Sequence, residues 1–169
     1  MPILPALVGS SVNKGGYMDT NVLSKRIQED LKNAVKAQDK PLVTTLRMLL
    51  NELKNAEKEA REELAQEKEV AVLTSYARRC RESITEFEKG GRADLVAEGR
   101  AELDIVMSYL PEQMDEEEIV REARRVVEEL SASNMKDMGR VMGEMMKRFK
   151  GRADGQTVNR IVAGILKGG

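Results

Sequence analysis

Apolar side chains recur three or four residues apart through most of this chain, and nowhere do they alternate regularly with polar ones. That spacing gathers them on one face of an α-helix, whereas a half-buried strand would alternate at every second residue. The longest series runs through residues 42–60 and resumes through residues 70–87. The pattern therefore predicts an all-α protein.

The residue composition supports helices and removes several kinds of active site. Charged residues make up 34% of the chain and aromatic residues only 3%, a balance typical of helical proteins. Histidine is absent, so histidine acid–base catalysis and histidine metal sites are excluded. A single cysteine, Cys80, excludes an intramolecular disulfide and a paired-cysteine metal or redox site.

Helix-breaking residues divide the chain into seven predicted helices. Pro41, Gly90 and Gly151 end or begin helices, and Pro111 marks the strongest break. We therefore predict a disordered leader over residues 1–18, an N-terminal four-helix subdomain over 19–112 and a C-terminal three-helix subdomain over 113–169. The second and third helices, with their heptad spacing, are expected to form a long antiparallel hairpin.

Charge is unevenly distributed along the chain. Residues 131–169 hold eight Lys and Arg against three Asp and Glu, a net charge of +5, whereas residues 19–130 hold nineteen against twenty-six. A moderately basic helical end can be an ordinary solvated surface, or it can bind an anion such as a nucleic acid.

The predicted sixth helix separates its cations from its apolar side chains. Met138, Val141, Met142, Met145 and Phe149 share one side of the helical wheel. The opposite side carries what we call the basic stripe, which consists of Lys136, Arg140, Gly143 and Lys147, with Gly139 at its border. Each helical glycine costs about 1 kcal/mol relative to alanine. Cations beside a face without side-chain bulk favour the close approach of an anionic backbone.

The turn after this helix adds further cations. Lys150, Gly151 and Arg152 place positive charge beside backbone N–H groups ahead of a helix that Asp154 can cap, which suits a phosphate contact. A simple interhelical turn would have the same sequence. Taken with the basic stripe, it gives a predicted RNA-contact set of Lys136, Arg140, Gly143, Lys147, Lys150, Gly151, Arg152 and Arg160.

Three other features have a structural interpretation that outweighs the functional one. The five methionines between Met135 and Met146 are expected to pack in the core rather than to bind a partner. Arg78, Arg79 and Arg81 lie close to Glu82, which favours ion pairs within or between helices over an anion site. Cys80 occupies a core position and is expected to be buried.

The sequence contains no catalytic constellation, no glycine-rich phosphate loop and no metal-ligand spacing, so we predict no cofactor and no metal. No apolar stretch approaches the ~18 residues of a membrane-spanning helix. Residues 1–17 lack the basic start and the apolar run of a secretory signal. We therefore expect a cytoplasmic protein with Cys80 reduced.

Several short motifs, taken in order, resemble one known family. They are TLRML at 45–49, RESI at 81–84, FEK at 87–89, YLP at 109–111 with Gln113, MG-x-VMG at 138–143 and KGRAD at 150–154. Together they resemble the stand-alone GatB/YqeY-type proteins, over about residues 18–167. That family is similar to the C-terminal tail domain of the GatB chain of the tRNA-dependent aspartyl/glutamyl amidotransferase.

The resemblance implies a helical protein whose relatives help to hold tRNA. In the amidotransferase, the catalytic centres lie in other domains or subunits, so a carbon–nitrogen ligase label with glutamine as amido donor would be inherited through the shared domain. We therefore expect a non-catalytic module that binds tRNA or another structured RNA. The alternative is an accessory subunit that docks on an amidotransferase or an aminoacyl-tRNA synthetase.

Overall fold

The computed structural model describes residues 20–168, so the leader predicted for residues 1–18 falls outside the described part. That part consists of seven α-helices, one short 3-10 helix and no strand, and the all-α prediction is confirmed. The helices are α1 (Val22–Lys36), α2 (Lys40–Ala60), α3 (Gln66–Lys89), α4 (Ala93–Met107), α5 (Glu116–Glu129), α6 (Met138–Phe149) and α7 (Gly155–Gly168), with the 3-10 helix Met135–Asp137 before α6.

The chain divides into two compact units, one ending at Tyr109 and the other beginning at Leu110. The first unit contains α1 to α4 and the second contains α5 to α7. Within the first unit, the most extensive packing joins α1 to α2 and α3 to α4.

Several helices begin where short-range sequence signals place them. Asp115 and Glu118 form a reciprocal capping box at the start of α5. At the start of α7, the backbone N–H of Thr157 donates to the Asp154 carboxylate at 2.9 Å. The predicted cap at Asp154 is confirmed, and Pro41 lies in the first turn of α2, as its position suggested.

The start of α1 is stabilised by a distant residue instead. Asn21, at the N-cap position, has a left-handed backbone (φ 55°) and makes no capping hydrogen bond with its side chain. The backbone N–H groups of Leu23 and Ser24 donate to the two carboxylate oxygens of Glu69, each at 2.9 Å. Glu69 belongs to α3 and is fully buried, so its charge meets both the free N–H groups and the positive end of the α1 dipole.

Helices α3 and α4 approach closely at Gly99. A Cβ atom at this position would lie 2.8 Å from Cγ1 of Ile84, which is nearer than two such carbon atoms can pack. The absence of a side chain at Gly99 therefore allows this contact between the helices.

Cys80 and the neighbouring arginines have the structural roles that the sequence suggested. The thiol is buried, and its burial raises the pKa of Cys80 to about 11. Arg78 pairs with Glu82 at 2.9 Å within α3, and Arg79 pairs with Glu52 of α2. The predictions for Cys80, Arg78 and Arg79 are confirmed, whereas, among the described residues, Arg81 donates to Sδ of Met107 instead of to a carboxylate.

The second unit has an apolar core to which each of its helices contributes. The predicted apolar face of α6 enters this core, with Val141, Met145 and Phe149 buried and Met138 and Met142 packed partly buried against them. Four of the five methionines therefore lie in or against the core, as expected, whereas Met135 is exposed. The remaining buried residues of this core are Ile119, Ala123, Val126, Ala153, Val158, Ile161, Val162 and Leu166.

Candidate nucleic-acid interface

The basic stripe lies on the exposed side of α6 and of the turn before it. Lys136 belongs to the short 3-10 helix, whereas Arg140, Gly143 and Lys147 belong to α6. All four residues are exposed, because the opposite side of α6 is occupied by the core. The helical wheel predicted that the cations and the apolar side chains lie on opposite sides of α6, and the structure confirms this.

The two glycines of α6 have no packing role among the described residues. A Cβ atom at Gly139 or at Gly143 would meet nothing within 4 Å. Neither residue has the positive φ that would require glycine. Each therefore costs helix stability of about 1 kcal/mol without a structural reason, and each leaves the backbone of α6 accessible beside the stripe.

Three lysines near this surface have no intramolecular partner among residues 20–168. They are Lys136, Lys147 and Lys150, all exposed, and none of them donates a side-chain hydrogen bond or forms an ion pair within that range. Their ammonium groups are therefore available to an external anion.

Arg140 is partly committed to the protein itself. Its Nη2 donates to the backbone oxygen of Leu130 at 2.9 Å and pairs with Asp137 at 3.3 Å. The pKa of Asp137 is lowered chiefly because the N–H of Ser133 donates to its carboxylate, and the charge of Arg140 adds to this effect. Arg140 thus links the end of α5 to the start of α6 while its side chain stays about half exposed.

The turn between α6 and α7 is held by the segment that precedes α5. Lys150 (φ 47°) and Gly151 (φ 80°) both have left-handed backbones. Gln113 donates from Nε2 to the Gly151 oxygen at 3.0 Å, and Arg152 donates from Nε to the Glu112 oxygen at 3.1 Å. The backbone N–H of Met114 donates to the Arg152 oxygen at 2.8 Å.

These contacts give Arg152 a structural role in fixing the turn. Lys150 is the cation of this turn that has no partner within the described range. Arg160, the last member of the predicted set, forms an ion pair with Glu116 at the start of α5. Both arginine side chains remain exposed. The predicted RNA-contact set thus contains three uncommitted lysines and three arginines that already have partners.

Sequence reasoning missed Arg148, the most heavily paired cation of this unit. It contacts Glu122 and Glu129 of α5 at 3.0 and 2.5 Å and Glu144 of α6 at 2.9 Å. Hydrogen bonds to Glu129, Glu144 and Glu122 raise the pKa of the Arg148 guanidinium above its usual value. The four-residue spacing from Glu144 was the one local signal for this cluster.

Among residues 20–168, no group of acidic or cysteine side chains is placed to hold a metal ion. None of the helices in that range is both long and apolar enough to span a membrane. The surface offers positive charge and an accessible helix backbone, which suits the binding of an anionic polymer.

Comparison with known proteins identifies several relatives. A family model described as Yqey-like protein matches residues 24–166. The Altered inheritance of mitochondria protein 41 of Pyrenophora tritici-repentis is 31% identical over 86% of this chain and 82% of that protein. Its counterpart in Lachancea thermotolerans is 34% identical over 64% of this chain and 59% of that protein.

A further relative is much longer than the matching region. It is the GatB-type chain of the aspartyl/glutamyl-tRNA(Asn/Gln) amidotransferase of Bifidobacterium longum. The two sequences are 46% identical over 25% of this chain, which corresponds to 9% of the amidotransferase chain. This match supports the relation to the amidotransferase that the motifs suggested.

These comparisons also correct one expectation. The relatives from Pyrenophora and Lachancea are both named as mitochondrial proteins, which contradicts the cytoplasmic location expected from the sequence. That expectation was based on the lack of membrane and secretory signals, and such a lack does not distinguish the cytoplasm from an organelle. Since the family model covers most of the chain, this protein belongs to the family of Yqey-like proteins.

Proposed function

We propose that this protein is a non-catalytic module that binds tRNA or a similarly structured RNA. The observation that carries the proposal is the basic stripe, where exposed lysines without partners in the described range flank two helical glycines whose surroundings are empty. A phosphate backbone can approach α6 closely at Gly143 while Lys136 and Lys147 neutralise its charge. The relation to an amidotransferase whose name specifies tRNA supports RNA as the anion.

Recognition would depend on phosphate position and RNA shape. Aromatic residues make up only 3% of the chain, which leaves little surface on which bases could stack. The predicted contact set remains Lys136, Arg140, Gly143, Lys147, Lys150, Gly151, Arg152 and Arg160. Within it, we assign the principal role to the three lysines, because the arginines would have to share or exchange existing partners.

The finer architecture also belongs to this proposal. We place the RNA surface in a three-helix part over residues 113–169 and assign residues 19–112 to a four-helix part in which α2 and α3 form a long antiparallel hairpin. The names of the relatives favour a mitochondrial location for this activity.

The second candidate is an accessory protein that docks on an amidotransferase or an aminoacyl-tRNA synthetase. The match to the amidotransferase chain favours it, because a relative of one part of an enzyme could associate with that enzyme. In this case RNA contact would be secondary, and any carbon–nitrogen ligase activity would belong to the partner.

Binding of total tRNA at two salt concentrations separates these candidates. Replacing Lys136, Lys147 and Lys150 together by Ala should weaken binding and reduce the slope of log affinity against log salt by up to about one for each lost contact. Surface substitutions of this kind should change stability by only about 0.5 kcal/mol.

The matched control replaces Lys25, Lys54 and Lys58, which are exposed on α1 and α2, and so removes the same charge from the other unit. It should bind tRNA like the unmodified protein. Equal losses in the two triple variants would mean that only net charge matters. An unchanged affinity in the first variant would exclude the α6 surface as the RNA site.

A further inference from the structure

Besides Asp137, which already pairs with Arg140, the acidic residue Glu144 lies within reach of the basic stripe. Glu144 follows Gly143 in the chain, four residues after Arg140 and three before Lys147. Side chains at both spacings meet on a helix surface, and a Glu that precedes a Lys has the more favourable orientation. By spacing, Glu144 has two candidate partners, Lys147 three residues later and Arg148 four residues later, and a pair with Lys147 would neutralise part of the stripe.

The structure shows the pair with Arg148. The Glu144 carboxylate accepts a hydrogen bond from Nε of Arg148 at 2.9 Å. The same guanidinium contacts Glu122 and Glu129, so Arg148 is fixed from the α5 side as well. Its side chain is only 31% exposed. Lys147 is exposed and has no partner within the described range.

We propose that Arg148 is a positioning residue that holds Glu144 away from the basic stripe and thereby keeps Lys147 available to a phosphate group. This inference rests on the proposed RNA-binding function and deepens it. Arg148 does not contact the RNA in this account, because its guanidinium is already occupied by three carboxylates. Its contribution is to remove a competing internal anion.

Loss of Arg148 would release Glu144 toward the nearest cations of α6. An exposed ion pair between Glu144 and Lys147 would then have to be broken before Lys147 could contact a phosphate. Such pairs are weak, so the expected loss of tRNA affinity is about two- to fivefold. The slope of log affinity against log salt should also fall by up to about one, which corresponds to one lost phosphate contact.

The test compares Arg148→Met with two double variants. Methionine keeps an unbranched side chain of similar length but cannot bind a carboxylate. Adding Glu144→Gln should restore tRNA affinity, because the released anion is then absent. Adding Glu129→Gln removes the same charge from α5 and should not restore it. Unfolding temperatures measured alongside establish that each variant is folded at the temperature of the binding assay.

Two results would overturn the inference. If both double variants regain affinity equally, Arg148 acts only through net charge. If Arg148→Met binds tRNA like the unmodified protein, Glu144 does not compete for the stripe.

A second readout does not need RNA. The rate at which an amine-acylating reagent modifies Lys147, followed by mass spectrometry, should fall in Arg148→Met and recover when Glu144→Gln is added. An unchanged rate would contradict the inference whether or not tRNA binds. If the rates change as expected while the unmodified protein fails to bind tRNA, the proposed function is wrong. The conclusion that Arg148 keeps Glu144 away from Lys147 would still stand.

Discussion

Gly99 in the first unit and Gly143 in the second are both helical glycines, yet their surroundings differ completely. At Gly99 a Cβ atom would lie 2.8 Å from Ile84, whereas at Gly143 it would meet nothing within 4 Å. The first glycine is required by the packing of α3 on α4. The second costs helix stability without such a reason, which is why we assign it to binding.

Polar residues differ between the two units in a similar way. Within the described residues, the buried polar side chains all belong to the first unit: Ser24, Thr45, Glu69 and Thr74. The core of the second unit contains only apolar residues, and its unpaired lysines face outward. The comparison indicates that Glu69 joins two helices of the first unit from within its core, whereas Lys147 on the surface of α6 is available to an external anion.

The largest effect is expected from Glu69→Ala. This change leaves the buried N–H groups of Leu23 and Ser24 without an acceptor, and each unpaired group costs about 1–3 kcal/mol. The free energy of unfolding, measured by denaturant titration, should fall by about 3 kcal/mol or more. The control is Glu67→Ala, an exposed acid in the same first turn of α3. Similar losses in the two variants would show that Glu69 does not secure α1.

Smaller effects on the free energy of unfolding are expected at the two glycines, and they have opposite signs. Gly99→Leu forces bulk against Ile84 and should lower the free energy of unfolding by about 1–3 kcal/mol. Gly143→Leu meets open space and should raise it by up to about 1 kcal/mol, because leucine favours the helix. Thermal unfolding of the two variants measures both changes. Destabilisation by Gly143→Leu would mean that this glycine also serves packing.

Local sequence signals predicted much of the fold. The three-and-four spacing identified the helices, and the caps at Asp115 and Asp154 depend on partners only three residues away. The apolar face of α6 was predictable for the same reason, since helical periodicity alone determines which residues share a face.

The features that sequence reasoning missed depend on partners from other helices. Glu69 resembles any acid near the start of a helix, and its partners lie 45 and 46 residues earlier in the chain. The reason for a glycine at position 99 likewise lies in another helix, because Ile84 of α3 occupies the space beside it.

The arginines of the candidate site also have partners from distant parts of the chain that the sequence does not reveal. Arg152 was predicted as a phosphate contact, and its Nε also donates to the backbone oxygen of Glu112, forty residues earlier in the chain. Arg160 likewise meets Glu116 from another helix. Periodicity predicts that a cation is exposed, and it cannot tell whether that cation already has a partner.

The central claim is that an anionic backbone approaches α6 at Gly143, and tRNA binding by Gly143→Leu tests it most directly. The substitution keeps every charge of the basic stripe but places bulk where the phosphate would lie. The matched control is Gly164→Leu, at an exposed glycine of α7 where a Cβ atom would also meet nothing within 4 Å. The account predicts that Gly143→Leu is at least as stable as the unmodified protein and binds tRNA more weakly, while Gly164→Leu binds normally. Unchanged tRNA affinity in a folded Gly143→Leu protein would contradict it.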